Sequence, residues 1–141
     1  MENELKEKDS VLIWNIENIN YKRIDEIYEK LSFIPKKQFI ITHYKLSSKI
    51  LKALEPKGFK FLYAPKDADT SIIKVLKLIM ETNKFLVIIS SDSDFVNITQ
   101  ELTNKHKKVH LILDSHNSKR SLFKNNISEQ LLKISLIGNK F

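Results

Sequence analysis

The strongest constraint on this chain is a regular alternation between short apolar runs and segments of helical period. VLIWNI (11–16) is followed by KRIDEIYEKL, in which Ile24, Ile27, Tyr28 and Leu31 recur at helical spacing. QFIITHY (38–44) is followed by SSKILKALE (47–55), which opens on serines able to cap a helix and stops before Pro56 and Gly58. FKFLYA (59–64) ends at Pro65. ADTSIIKVLKLIMETN (68–83) then carries a stripe of Ile72, Leu76, Ile79 and Met80. KFLVIIS (84–90) is apolar at successive positions, as a strand covered on both faces must be. Phe95, Ile98 and Leu102 mark another helix, and KVHLILD (108–114) a fifth strand. Five strands alternating with helices predict one α/β domain, a three-layer α/β/α sandwich around a parallel sheet with right-handed crossovers. The core is expected over about 10–115, with 116–141 as a C-terminal extension. In that extension, 127–137 fits a helix through Ile127, Leu131 and Ile134 and equally a strand through Leu132, Ile134 and Leu136.

Composition narrows the class. The chain has 141 residues, enough for one domain with a core, and its 42% hydrophobic content with two glycines excludes a disordered or low-complexity chain. Having no cysteine, it can make neither disulfides nor thiolate metal sites. No apolar run approaches the roughly 20 residues of a membrane span, and the charged start MENELKEKDS lacks a signal-peptide core. A cytoplasmic protein without membrane contact is the expectation. The net charge of +7 is uneven: residues 1–100 carry +2 and residues 101–141 carry +5. A basic C-terminal part suits a polyanionic partner, and lysine-rich solubility accounts for it equally well.

The polar residues gather where strands should end. The first run leads into Asn15, Glu17 and Asn18, the third into Lys66, Asp67 and Asp69, and the fourth into Ser90, Asp92 and Asp94. Ligands of open parallel sheets bind beyond the carboxyl ends of the strands, near the point where strand order reverses. Carboxylates meeting there repel one another unless a cation such as Mg²⁺ or Mn²⁺ pairs them through hard oxygen ligands. Each group also has a plainer role. Asp92 or Asp94 would cap the helix through Leu102, Asp69 would cap that of Ile72, Asn18 suits a turn, and Glu17 suits a solvated loop.

WNIENIN (14–20), KDAD (66–69) and SSDSDF (90–95), taken in order, resemble the three motifs of NYN domains, a branch of the PIN-like nucleases. FVNITQELTNKHKKVHLI (95–112) also resembles the helix, basic turn and strand that follow in that family. The resemblance implies strand order 3-2-1-4-5 and Mg²⁺- or Mn²⁺-dependent endoribonuclease activity, with cleavage leaving a 5′-phosphate. It further implies catalytic and metal-holding roles for the position of Asn15 and for Asp69, Asp92 and Asp94, with support from Asn18, Lys66 and Ser90. Two departures matter. Ser91 stands where the family has glycine. Asn15 stands where it has aspartate, which keeps the shape and loses the charge. The resemblance therefore leaves three explanations of Asn15: a nuclease weakened there, an inactive domain that binds RNA or a protein, or a near-isosteric Asp-to-Asn replacement introduced to inactivate the enzyme. A further acid of the third helix is replaced by Val75.

RNA is the expected partner, with Lys105, Lys107, Lys108, Lys119, Arg120 and Lys124 as candidate phosphate contacts. Tyr21, Phe33 and Phe123 are candidates for stacking on unpaired bases. His106 and His110 have metal-like spacing, but the second is expected on a strand, so they need not share a face, and His43 falls at a strand end. Self-association as a homodimer is left open by the sequence.

Overall fold

A computed structural model of the chain describes residues 10–16, 19–42, 44–63, 77–79, 81–83, 85–89, 94–105, 107–114 and 131–137. The strands are β1 (Ser10–Asn15), β2 (Lys37–Thr42), β3 (Phe59–Tyr63), β4 (Phe85–Ile89), β5 (Lys108–Asp114) and β6 (Leu132–Ile137). The helices are α1 (Ile24–Leu31), α2 (Ser48–Leu54) and α3 (Asp94–Asn104), and residues 77–79 and 81 are also helical. The strands form one sheet in the order β3-β2-β1-β4-β5-β6, and every pairing is parallel.

The expected α/β architecture and the order 3-2-1-4-5 are therefore found, with one strand more than expected. Within the ambiguous segment 127–137, Leu132–Ile137 is a strand, and 127–130 lie outside the described residues. Leu132 and Ile137 are buried, and the segment pairs with β5 from Val109↔Leu132 to Asp114↔Ile137. Pairing decides between the two periods, because backbone groups along an open β5 edge need partners. His110 reinforces the join: its buried ring Nε2 lies 2.7 Å from Ser135 Oγ on β6.

Strand alternation sorts the core into two sides. Leu12, Trp14, Ile40, Val87, Ile89 and Ile112 face α1 and α2, meeting Ile24, Ile27, Leu31 and Leu54. Val11, Ile13, Ile41, Leu86, Ile88, Val109 and Leu111 face the other way, toward Leu102 of α3 and Ile79. β1 and β4 are buried on both sides, as the unbroken apolar run FLVII requires.

Local chemistry sets the helix ends. Asn20 Oδ1 accepts from Lys22 N at 3.0 Å, opening the 3-10 turn before α1. Ser47 Oγ caps α2 by accepting from Ile50 N at 3.4 Å. Gly58 turns the chain from α2 into β3 at φ +92°. A Cβ there would meet nothing nearer than Gln38 Nε2 at 3.6 Å, so the demand at this position is conformational. Gly58→Ala is expected to cost about 1–2 kcal/mol in a urea melt, from the left-handed backbone alone.

Gln38, buried on β2, ties three elements together. Its Oε1 accepts from Tyr28 Oη of α1 at 2.5 Å, and its Nε2 donates to the Lys57 carbonyl at 2.9 Å. Burial pushes the Tyr28 phenol up to about 12 from its ordinary 10; the charge of Asp25 acts in the same direction, and the bond to Gln38 opposes them. A phenol that holds its proton more tightly in the folded chain stabilises the fold below pH 10, and that contribution is lost as pH rises from 10 through 12. Tyr28→Phe should therefore flatten the alkaline fall of the urea midpoint over that window relative to the parent.

Candidate functional site

The sheet order places the reversal point between β1 and β4. The chain runs outward from β1 to β2 and β3, then returns to lay β4 on the other side of β1. In open parallel sheets this reversal point, where the two connections leave toward opposite faces, is where a ligand crevice is expected. Asn15 ends β1 at this point. It pairs in register with Ile41 of β2, and Ile16 N extends the ladder by donating to the Ile41 carbonyl at 3.3 Å. Asn15 is 9% exposed, so it lies in the rim of the sheet and not on a solvated loop. Its register in β1 puts it on the side of α3, with Val11 and Ile13.

Beyond β4, α3 begins at Asp94. Asp94 is thus the first described residue of the helix. The strand-to-helix connection brings the start of α3 to the same edge of the sheet as Asn15. Asp69, Asp92, Asn18, Lys66 and Ser90 lie outside the described residues, as do Lys119, Arg120, Lys124, Phe123, His43 and His106. Among the described residues no three histidine or acidic groups stand together as a metal centre.

The basic candidates divide. Lys105, Lys107 and Lys108 lie at the amino ends of β4 and β5, the opposite edge from Asn15. Lys105 Nζ is 3.2 Å from Glu81 Oε1 and 3.8 Å from Glu101 Oε1. Lys107 Nζ donates to the carbonyls of Glu81 at 2.5 Å and Asn83 at 2.8 Å. Those carbonyls follow the helical residues before β4, where a lysine satisfies groups that the helix leaves open. Lys108 is exposed at the start of β5.

Of the stacking candidates within the described residues, Phe33 is corrected and Tyr21 is half-buried. Phe33 is buried and meets Phe85 edge-on at 5.6 Å, and Tyr21 packs against the α1 side of the core. Among the described residues the exposed rings are Tyr44 and Tyr63, at 52% and 59%. Both border a hollow of about 420 Å³ at the carboxyl ends of β2 and β3. The sequence hides them, because each continues an apolar strand pattern and only the end of the strand exposes it.

The family model for the NYN domain matches residues 10–129. This chain belongs to the NYN family. NYN domains are a PIN-like nuclease family, so the general class is a hydrolase acting on nucleic acid. Within the NYN fold of this chain, Asn15 closes the first strand and Asp94 opens the helix after the fourth. A crystal structure of a protein of unknown function from Vibrio parahaemolyticus shares the architecture, with a TM-score of 0.63 over 89% of this chain and 91% of that one. At 14% identity that likeness concerns the fold alone. No curated protein matches the chain. Among the described residues of this NYN domain, no helix is long and apolar enough to cross a membrane.

Proposed function

We propose that this NYN domain is a divalent-metal-dependent endoribonuclease whose activity is held low by the amide at Asn15. The observation that carries the reading is the position of Asn15, buried at the carboxyl end of the central strand where the strand order reverses, in a chain matched by a nuclease family over residues 10–129. The donor chemistry suits Mg²⁺ or Mn²⁺: the Asn15 amide oxygen is a hard ligand, and Asp69, Asp92 and Asp94 would add hard anionic oxygens. A bound cation would activate water and neutralise charge building on the phosphodiester.

The chain's own part is to hold charge and orient substrate. Asp69, Asp92 and Asp94 would carry the negative charge that retains the cation. Asn18 and Ser90 would orient those carboxylates through hydrogen bonds. Lys66 would meet substrate phosphate, and Lys119, Arg120 and Lys124 would extend the phosphate track. Lys105 and Lys107 are engaged with protein groups at the far edge, so their charge would contribute to the overall field, as would that of Lys108.

The amide itself favours a second reading, an inactive domain that binds RNA. Asparagine supplies an oxygen without a charge, which lowers affinity for a hard cation and leaves polyanion binding intact. A divalent-metal titration run beside RNA cleavage, on the parent chain and on Asn15→Asp, separates the two. Cleavage of end-labelled RNA by Asn15→Asp in Mn²⁺, abolished by chelator and leaving 5′-phosphate ends, supports the nuclease. An Asn15→Asp chain that binds RNA with a steep salt dependence, and neither takes up metal nor cuts, leaves only the binding domain.

A further inference from the structure

We infer that the hollow at the carboxyl ends of β2 and β3 is a base-stacking subsite for single-stranded RNA, with Tyr44 and Tyr63 as its platform. The inference rests on the nuclease-family reading for the kind of polymer bound, and on separate residues for the site. Tyr44, Leu46, Leu51, Phe61 and Tyr63 supply the apolar lining, and Thr42 and Lys45 supply the polar groups. Leu46 is buried, while Leu51 and Phe61 pack against the core, so they make a firm floor. The two tyrosines stay more than half exposed above that floor. A tyrosine ring left more than half exposed is poor use of a large apolar surface, unless a flat partner covers it.

The platform is held in place before anything binds. Thr42 Oγ1 accepts from Tyr44 N at 3.2 Å and donates to the Tyr44 carbonyl at 2.7 Å, so the backbone of Tyr44 is pinned to the end of β2. Tyr63 is paired in register with Thr42 as the last residue of β3. Phe61 and Tyr63, two apart on one strand, share a side of the sheet.

Charge points to a polyanion as the occupant. Residues 44–54 contain Lys45, Lys49 and Lys52 and no acidic residue, and all three lysines are exposed. A docking peptide would gain from the apolar lining alone, whereas a nucleic-acid strand uses both the rings and the lysines. Position agrees. Asn15 is level with Ile41 and so with Leu62, which puts the hollow about two strand spacings, about 10 Å, along the same edge, on the α1–α2 face, whereas Asn15 is on the α3 face. A strand held at the β1–β4 crevice would cross the end of β2 and set a neighbouring base on Tyr44 and Tyr63. A duplex keeps its bases stacked inside and offers no free face to these rings, so the subsite selects unpaired RNA.

The test uses the whole chain in chelator, with an unstructured RNA of about a dozen nucleotides carrying one 2-aminopurine, and a duplex of the same length. Anisotropy should show single-strand affinity about 10-fold weaker in Tyr44→Ala/Tyr63→Ala, with duplex affinity and the salt slope unchanged. The 2-aminopurine quenching seen with the parent should vanish. Tyr44→Phe/Tyr63→Phe should retain both affinity and quenching, and all three chains should share one thermal midpoint because the rings are exposed. Single-strand affinity in the double alanine variant within about twofold of the parent overturns the subsite, as does an equal loss for duplex, or a parent that binds no single strand. If Asn15→Asp cuts RNA in Mn²⁺ while the tyrosine variants bind normally, the subsite fails and the nuclease stands. Tyrosine-dependent binding with no cleavage gives the reverse.

Discussion

Asn15→Asp is expected to raise Mn²⁺-dependent cleavage of RNA by about 100-fold, equivalent to about 2.7 kcal/mol of barrier. The gain comes from charge alone, because asparagine and aspartate have nearly the same shape and the β1 backbone is fixed by pairing on both sides. A hard cation is held more tightly as the anionic count of its ligands rises, and its Lewis acidity is used only when it is bound. Stability supplies a second readout that does not depend on turnover. The position is 9% exposed, so an added carboxylate without a cation is a poorly solvated charge and should lower the metal-free melting temperature. Mn²⁺ should then raise the melting temperature of Asn15→Asp by more than it raises that of the parent. A variant that gains neither metal-linked stability nor cleavage would remove the basis for a cation at the β1–β4 crevice.

Trp14→Ala is expected to cost about 4 kcal/mol, read as a fall in the urea midpoint. Trp14 is fully buried, meets Phe59 of β3 at 6.0 Å between ring centroids, and stands in register between Ile40 of β2 and Ile89 of β4. It is the largest side chain on the α1–α2 side of the sheet and sits one residue before Asn15, on the opposite face. Removing it would leave a cavity beneath the strand end that carries the site. Trp14→Phe should cost no more than about 2 kcal/mol. Some apolar area is lost, yet the indole Nε1–H finds no acceptor among the described residues, and phenylalanine brings no such donor. If the two substitutions destabilise equally, the ring volume is not what Trp14 contributes.

How far the sequence could be read depended on whether a feature was local. The run FLVII announces a doubly covered strand through its composition, and the chain bears that out in β4. The helix through Ile24, Ile27 and Leu31 likewise appears as α1, with those three residues buried. Segment 127–137 was ambiguous because its apolar residues satisfy two periods, and only the open edge of β5 decides for a strand. The lysines of 105–108 read as one basic patch along the chain. In space, two of them close off carbonyls and carboxylates beside Glu81, at the edge away from Asn15.

From the hydrophobic period came the parallel α/β sheet; its strand order, the family and Asn15 as a departure from it came through the resemblance of three short motifs to NYN domains. Hydrophobic period and short motifs are written along the chain, and neither requires knowledge of what lies across the sheet. Tertiary structure decided which aromatics are covered: it packed Phe33 into the core, set Tyr21 half-buried against it and left Tyr44 and Tyr63 over an open hollow. Exposure belongs to no single residue. It depends on whether another element comes back to cover the ring, and beyond the ends of β2 and β3 none of the described elements does.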